Sequence, residues 1–283
     1  MKNRVSKILI LAFGFILAFG FLTGASIVIA SENENSETAK SSTPLTILMY
    51  HEISDRKVTD YILSPSILES DLKWLKDNGY TGIFMGELIS HIENGTPLPA
   101  KPVMITFDDG ARTDYTKAFP LLKKYNTKAV ISVVGKYTDR AYDENGVENG
   151  IYTNSLTFAH MREMIDSGLV EIQNHTYDMH SLTCRKGLKN MDGENISDYK
   201  KTLQNDLQKL DNRLNEKLGI TPSTVTYPYG AYSKHTIQII KELGYKASLT
   251  CNEGINHINS DTNLYLLKRY NRDSKRDITK LFA

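Results

Sequence analysis

Strand-like and helix-like segments alternate along the sequence from residue 45 onward, and this alternation limits the possible folds more than any other feature. Apolar runs such as "TILMYH", "PVMITF" and "KAVISVVG" have the length and composition of buried strands. The longest amphipathic segment, residues 196–219, has leucines at helical spacing that predict core packing. This pattern predicts a mainly parallel sheet with helices outside it, and the number of units favours a barrel over an open sheet.

Polar side chains stand at the ends of several predicted strands. Asp108 and Asp109 follow "PVMITF", His175 follows "LVEIQN", and Tyr229 follows "STVTYP". In barrels of this type the active site lies at the carboxyl ends of the strands. We therefore expect these four residues to meet at one rim of the barrel.

A second histidine, His180, lies five residues after His175. On a helix this spacing would place the two imidazoles about 140° apart, so their approach requires a loop. One carboxylate and two imidazoles suit Zn²⁺ and similar divalent ions, and three protein ligands leave positions open for water and substrate. Together with the strand-end Asp-Asp pair, these histidines predict a catalytic metal site.

The two neighbouring aspartates need different roles if both are to stay ionised at the end of an apolar strand. If Asp109 binds the metal, its charge is neutralised, and Asp108 can then take a proton from a water that the metal acidifies. If this stretch were only an Asp-Gly turn after a strand, the turn would account for the presence of Asp109 and Gly110. It would not account for a second carboxylate at Asp108.

The N-terminus predicts export. Residues 1–30 place three basic residues before the uncharged run "ILILAFGFILAFGFLTGASIVIA", which is typical of a signal peptide or a membrane anchor. Residues 31–44 are polar and predict a flexible linker, so the folded domain should span residues 45–283. Without residues 1–30 the net charge falls from +1 to −2, because three basic and no acidic residues are removed. A near-neutral charge argues against a nucleic-acid partner.

Three motifs of the sequence resemble those of a known family. The motif "TFDDG", the downstream histidine pair and the strand-end "YPYG" are similar to motifs of the polysaccharide deacetylases of the NodB-homology type, also called carbohydrate esterase family 4. The resemblance covers roughly residues 44–270. It implies a distorted (β/α)₇ barrel of the TIM type that uses a divalent metal, which we expect to be Zn²⁺ here, to remove N-acetyl groups from extracellular amino-sugar polymers.

The resemblance also implies roles for individual residues. Asp108 would be the general base, and the backbone N–H of Tyr229 would stabilise the oxyanion. The implied metal ligands are Asp109, His175 and His180.

Three departures from the usual family pattern are informative. The five-residue histidine spacing, the "LMYH" opening and the "LKRYN" ending are similar to the branch that acts on poly-β-1,6-N-acetylglucosamine. Thr226 stands where an arginine usually precedes the "PYG"-like motif, so a partner that orients Asp108 must come from elsewhere or is absent. The usual late Leu-x-His motif, which supplies the general acid, is missing, and His51 is a candidate substitute or a residue of the site wall.

Some alternatives remain open at this level. Tyr177 and Tyr227 are candidates for contacts with the sugar. The polymer could instead be peptidoglycan or a chitin-like chain, and the protein could be a weakly active carbohydrate-binding relic of the fold. An uncleaved N-terminus would bind the cytoplasmic membrane. Cys184 and Cys251 are expected to be two separate buried thiols, although an oxidising compartment permits a bridge between them.

Overall fold

The structure of this protein, a computed structural model, describes residues 42–56, 58–142 and 154–282. The predicted signal or anchor and most of the predicted linker lie outside these residues. Among the residues that the structure describes, none of the helices is both long enough and apolar enough to span a membrane.

Strands and helices alternate along most of the described chain. The strands are β1 (Thr43–Tyr50), β2 (Glu52–Ile53), β3 (Ile62–Leu63), β4 (Thr81–Gly82), β5 (Pro102–Asp109), β6 (Ala129–Val133), β7 (Val170–Asn174), β8 (Thr224–Thr226), β9 (Ala247–Leu249), β10 (Asn256–Ile258) and β11 (Tyr270–Asn271). The helices are α1 (Pro65–Asp77), α2 (Met85–Asn94), α3 (Phe119–Tyr125), α4 (Gly135–Asp139), α5 (Phe158–Asp166), α6 (Ile196–Leu218) and α7 (Lys234–Glu242). A single π-helical turn, Asp114–Ala118, leads into α3.

The main sheet is parallel apart from one strand, and it curls on itself. Its strand order is β10-β1-β5-β6-β7-β8-β9, and only β10 pairs in the antiparallel sense. After β9 the chain returns through Leu267, which forms a parallel bridge with Leu249, and through β11, which pairs with β1. Residues 267–271 therefore lie between the two sides of the curled sheet. This confirms the predicted distorted (β/α)₇ barrel.

The central strands are buried on both faces, as expected for a parallel sheet between a barrel interior and outer helices. All residues of β5 except Asp109 are buried, and every residue of β6 is buried. The α6 helix packs its leucine stripe into two buried clusters, its first half into one and its second half into the other, so the prediction of core packing is confirmed. Asn195 caps the first turn of α6, and Gly219 ends the helix with φ 71°.

The last predicted strand, "LYLLKRY", differs from the structure. Only Tyr270 and Asn271 form a strand, because Leu266 takes a left-handed conformation with φ 64° and interrupts extended pairing. The side chain of Arg269 is completely buried and contacts strand β5. This short segment thus places the guanidinium group of Arg269 inside the barrel.

Candidate functional site

The carboxyl ends of the parallel strands surround one cavity of about 670 Å³. Strand β5 ends at Asp109, His175 follows β7, Tyr229 follows β8, and His51 follows β1. These residues line the cavity together with Asp108 and His180. The structure therefore brings together all four strand-end residues that the sequence analysis expected to meet.

Three of the lining residues form a compact set of metal-ligand atoms. His180 Nε2 lies 3.0 Å from Asp109 Oδ1, and His175 Nε2 lies 3.5 Å from the same oxygen. One ligand atom from each residue lies within 4.8 Å of the others, and no other group of this kind occurs in the described residues. The predicted ligand set is thus assembled in space.

The hydrogen bonds of the two histidines fit metal binding. His175 Nδ1 lies 2.8 Å from the carbonyl oxygen of Thr226, so this nitrogen carries the proton and donates it. The Nε2 lone pair is then directed at Asp109, as in most histidines that bind metals. His180 Nδ1 is 3.0 Å from Tyr229 Oη and 3.3 Å from Tyr137 Oη, which again leaves Nε2 for the cavity.

The electrostatics of this set favour a cation in its centre. Burial would raise the pKa of Asp109, but the imidazoles of His175 and His180 beside its Oδ1 hold that pKa far below its usual range. Burial would lower the pKa of His175, but Asp109 and the charge of Asp108 raise it above its ordinary value. The raised pKa of His175 shows that this position beside Asp109 favours positive charge, which a divalent ion would supply.

Asp108 has a partner that the sequence analysis did not find. Arg269 Nη1 and Nη2 donate to Asp108 Oδ1 and Oδ2 at 2.7 and 2.8 Å, and both residues are buried. Arg269 also donates to Thr106 Oγ1 at 3.1 Å and to the carbonyl oxygen of Thr250 at 2.8 Å. Burial would raise the pKa of Asp108, but the charge and hydrogen bonds of Arg269 lower it below its ordinary value.

Arg269 is therefore the partner that orients Asp108, in place of the arginine that Thr226 replaces in the sequence. Its bidentate contact fixes the plane of the Asp108 carboxylate and keeps the group ionised in a buried setting. The signal available in the sequence was the charged pair within the apolar run "LYLLKRY".

Backbone strain is concentrated around the cavity. Asp109, Thr176 and Tyr229 have φ values of 76°, 74° and 57°, which non-glycine residues rarely adopt. Such conformations are costly and persist where surrounding contacts enforce them, frequently at functional sites. Here the strained residues are a ligand, the neighbour of a ligand and the residue with the implied oxyanion role.

Two predicted sugar contacts do not agree with the structure. Tyr177 points away from the cavity, since its hydroxyl donates to Asp139 Oδ2 at 3.0 Å and its ring lies 3.7 Å from Lys209 Nζ. Tyr227 is completely buried and stacks on Tyr232 with ring centroids 4.9 Å apart. Because neither side chain reaches the cavity, the placement of Tyr177 and Tyr227 in a sugar groove is corrected.

The cavity instead has apolar side chains that the sequence analysis missed. Tyr61 is 60% exposed and Leu182 is 58% exposed, and both line the cavity. The ring of His51 makes an edge-on contact with Tyr61, with ring centroids 4.9 Å apart. Burial lowers the pKa of His51, although the charges of Asp108 and Asp109 oppose this shift.

The two cysteines are free thiols, so the alternative of a bridge is not realised. Both are exposed at the surface, which makes the expectation of buried thiols wrong. Cys251 borders the cavity, and although the residue is exposed, the surrounding protein partly desolvates its sulfur and raises the pKa of the thiol.

Comparisons with known proteins agree with the geometry of the site. A family model described as polysaccharide deacetylase matches residues 95–248, which is more than half of the chain. Poly-β-1,6-N-acetyl-D-glucosamine N-deacetylase of Staphylococcus aureus (strain MRSA252) is 27% identical over 267 residues, covering 89% of this chain and 88% of that protein.

Two solved structures are also similar. A de-N-acetylase from Aggregatibacter actinomycetemcomitans is 25% identical, with a TM-score of 0.71 over 84% of this chain and 98% of that one. The deacetylase PplD of Streptococcus pyogenes, solved in complex with acetate, is 26% identical, with a TM-score of 0.65 over 81% of this chain and 92% of that one.

Proposed function

Because this chain belongs to the polysaccharide deacetylase family, we propose that it hydrolyses the N-acetyl groups of an extracellular poly-β-1,6-N-acetylglucosamine, using Zn²⁺. One observation carries this proposal. An ionised carboxylate, Asp108, lies in the same cavity as the ligand set Asp109, His175 and His180. The named substrate of the S. aureus relative supports the choice of polymer. The five-residue histidine spacing supports the same branch of the family.

The residues of the cavity have separate tasks in such a hydrolysis. A divalent ion held by Asp109, His175 and His180 would polarise the acetamido carbonyl and acidify a water molecule. Asp108 accepts a proton from the attacking water while Arg269 holds its carboxylate in place. The water oxygen adds to the acetyl carbon, the C–N bond breaks, and the products are acetate and an amine.

The oxyanion and the leaving nitrogen also need partners. The backbone N–H of Tyr229, in its strained turn, is the proposed donor to the oxyanion. His51 is proposed to pass a proton to the leaving nitrogen; because burial lowers the pKa of this imidazole, the proton is proposed to be the one that Asp108 took from the attacking water. The Nδ1 of His51 is buried and makes no hydrogen bond within the described residues, so this nitrogen is not committed to a structural role.

An ester with a good leaving group tests whether His51 donates a proton or only lines the cavity. A phenolic leaving group departs without protonation, so His51→Gln should slow amide hydrolysis strongly and leave the hydrolysis of an aryl acetate nearly unchanged. Equal losses on both substrates would show that His51 shapes the site and donates no proton.

The choice of polymer is tested by acetate release from oligomers of defined linkage. We expect faster release from β-1,6-linked N-acetylglucosamine oligomers than from β-1,4-linked chitin oligomers or peptidoglycan fragments of equal length. The opposite order would favour the chitin-like or peptidoglycan alternative. Binding of all these chains without any acetate release by the metal-loaded protein would favour a carbohydrate-binding relic.

The place of action is also a proposal. Residues 1–30 carry the basic flank and the apolar run of an export signal, and the polymer of the proposed reaction is extracellular. We propose that the domain acts outside the cytoplasmic membrane, either released or held by this segment.

A further inference from the structure

Two backbone N–H groups of the loop between the two histidine ligands are held by one side chain from another element. His175 and His180 are joined by Thr176, Tyr177, Asp178 and Met179. The backbone N–H of Tyr177 donates to Asp206 Oδ1, and the backbone N–H of Asp178 donates to Asp206 Oδ2, both at 2.8 Å. We propose that Asp206 is a positioning residue that sets the geometry of the metal site by fixing this loop.

The contact is well suited to this task. Each oxygen of the Asp206 carboxylate receives one N–H group, and hydrogen bonds to an ionised acceptor are shorter and stronger than neutral ones. The two donors lie between the two histidines in the sequence, so the contact restrains both ends of the ligand pair.

Asp206 lies on a rigid part of the fold. It lies within the 23-residue helix α6, next to Leu203 and Leu207, which are completely buried in the core. The same helix holds the residue before His175, because Asn174 Nδ2 donates to Asp211 Oδ1 at 2.9 Å and to the carbonyl oxygen of Leu207 at 3.1 Å. Helix α6 therefore forms hydrogen bonds both with Asn174, which precedes His175, and with the loop between His175 and His180.

The opposite side of the loop is held by the start of α4. The N–H groups of Gly135 and Lys136 donate to the carbonyl oxygens of Thr176 and Tyr177 at 3.0 and 2.8 Å. The loop backbone is thus fixed through carbonyl groups on one side and through N–H groups on the other. Of the hydrogen bonds to the loop backbone described above, those to Asp206 are made by a side chain, which can be replaced without changing the loop itself.

The inference rests on the proposed function only for the identity of the ligands, so its test measures metal binding and not turnover. Apo protein is titrated with Co²⁺, followed by its visible absorption, and with Zn²⁺ in competition with a chromophoric chelator. Asp206→Asn keeps the shape but turns an amide NH₂ toward a backbone N–H. We expect the affinity for both ions to fall about 10- to 100-fold, as for other residues that orient metal ligands.

A matched variant controls for the loss of a charge on α6. Asp198 lies in the first turn of the same helix, is exposed and does not touch the loop. Asp198→Asn should keep the wild-type metal affinity. At saturating Co²⁺, the visible spectrum of Asp206→Asn should return to the wild-type form, since the ligands themselves are intact.

Three outcomes would overturn the inference. The first is a folded Asp206→Asn protein with wild-type affinity for both ions. The second is a loss no larger than that of Asp198→Asn. The third is fast hydrogen exchange of the Tyr177 and Asp178 amides in the wild-type apo protein, a measurement that remains decisive if Asp206→Asn does not fold. A wild-type protein that binds neither ion would instead contradict the proposed metal site, and this inference would fall with it.

Discussion

Asp108 and Asp109 are adjacent in the chain but have different partners. Asp108 is neutralised by a buried arginine, whereas Asp109 faces two imidazoles across the proposed metal position. Two neighbouring carboxylates can both remain ionised only with such separate compensation. The division into base and ligand thus follows from the surroundings of each group and not from the motif alone.

Arg269→Lys tests the role of the guanidinium. Lysine cannot make the bidentate contact, so burial should dominate and the pKa of Asp108 should rise. Asp108 must be ionised to accept a proton, so a higher pKa moves the acid limb of the kcat/KM profile to higher pH. The measurement is the pH profile of acetate release at saturating metal.

A second buried pair provides the control. Arg272 makes an equivalent bidentate contact with Asp71, at 2.7 and 2.9 Å, but neither residue lines the cavity. Arg272→Lys should lower the stability in a similar way and leave the acid limb unchanged. A shift of equal size in both variants would mean that general loosening, and not the pKa of Asp108, moves the profile.

The sequence alone was enough to predict the site residues that lie in local motifs. It was not enough to predict roles that depend on contacts between residues far apart in the chain. Asp108, Asp109 and His175 could be placed because each lies at the end of an apolar strand, and His180 could be placed because it lies in the loop that follows His175. Arg269 could not, since its contact with Asp108 joins residues 161 positions apart and requires the barrel to close. The direction of Tyr177 depends in the same way on Asp139 and Lys209, which belong to other helices.

At the scale of elements, α4, the histidine loop and α6 pack as one unit. A Cβ added at Gly135 would lie 2.6 Å from Tyr177 Cδ2 and 3.0 Å from Leu210 Cδ1. Such distances require the loop or α6 to move. The glycine is therefore a packing requirement at the point where α4 meets the loop.

Gly135→Ala should consequently lower both stability and metal affinity. Overpacking of this kind typically costs about 1–3 kcal/mol, which exceeds the gain in helix propensity of roughly 1 kcal/mol. Thermal unfolding and Zn²⁺ competition measure the two effects. Gly86→Ala is the control, because the added Cβ would meet only the carboxylate end of Glu171, and unchanged behaviour of both variants would contradict the packing argument.

Elements with local periodicity were predicted well, and elements fixed by pairing were not. The α6 helix was expected over residues 196–219 and spans Ile196–Leu218, because its leucine stripe is visible in the sequence. The last strand was predicted too long, since alternation in "LYLLKRY" does not reveal the turn at Leu266. Local patterns specify element type, whereas the partners across the sheet specify where a strand ends.

At the scale of the whole molecule, the curled sheet is what makes the site. The strand ends alone supply the base, two of the ligands and the Tyr229 turn, while the closing segment 267–271 adds the arginine. An open sheet with the same strands would leave Asp108 as a buried charge without compensation. Closure of the barrel and ionisation of the base are therefore linked.

The proposed location gives a prediction for the full chain. Because residues 1–30 combine a basic flank with an apolar run, cell fractionation should find the protein outside the cytoplasm, in the medium or with the membrane. The same chain lacking residues 1–30 should stay in the cytoplasm. A full-length chain that accumulates unprocessed in the cytoplasm would contradict export.

The most direct test of the account compares metal content and acetate release in Asp108→Asn and Asp109→Asn, with folding checked for each. Asp108→Asn should keep bound metal and lose about 10²–10⁴-fold in rate, because an amide cannot accept the proton. Asp109→Asn should lose metal and regain part of its rate when metal is added in excess. Near-normal deacetylation by metal-loaded Asp108→Asn, or its rescue by excess metal, would show that Asp108 is not the base.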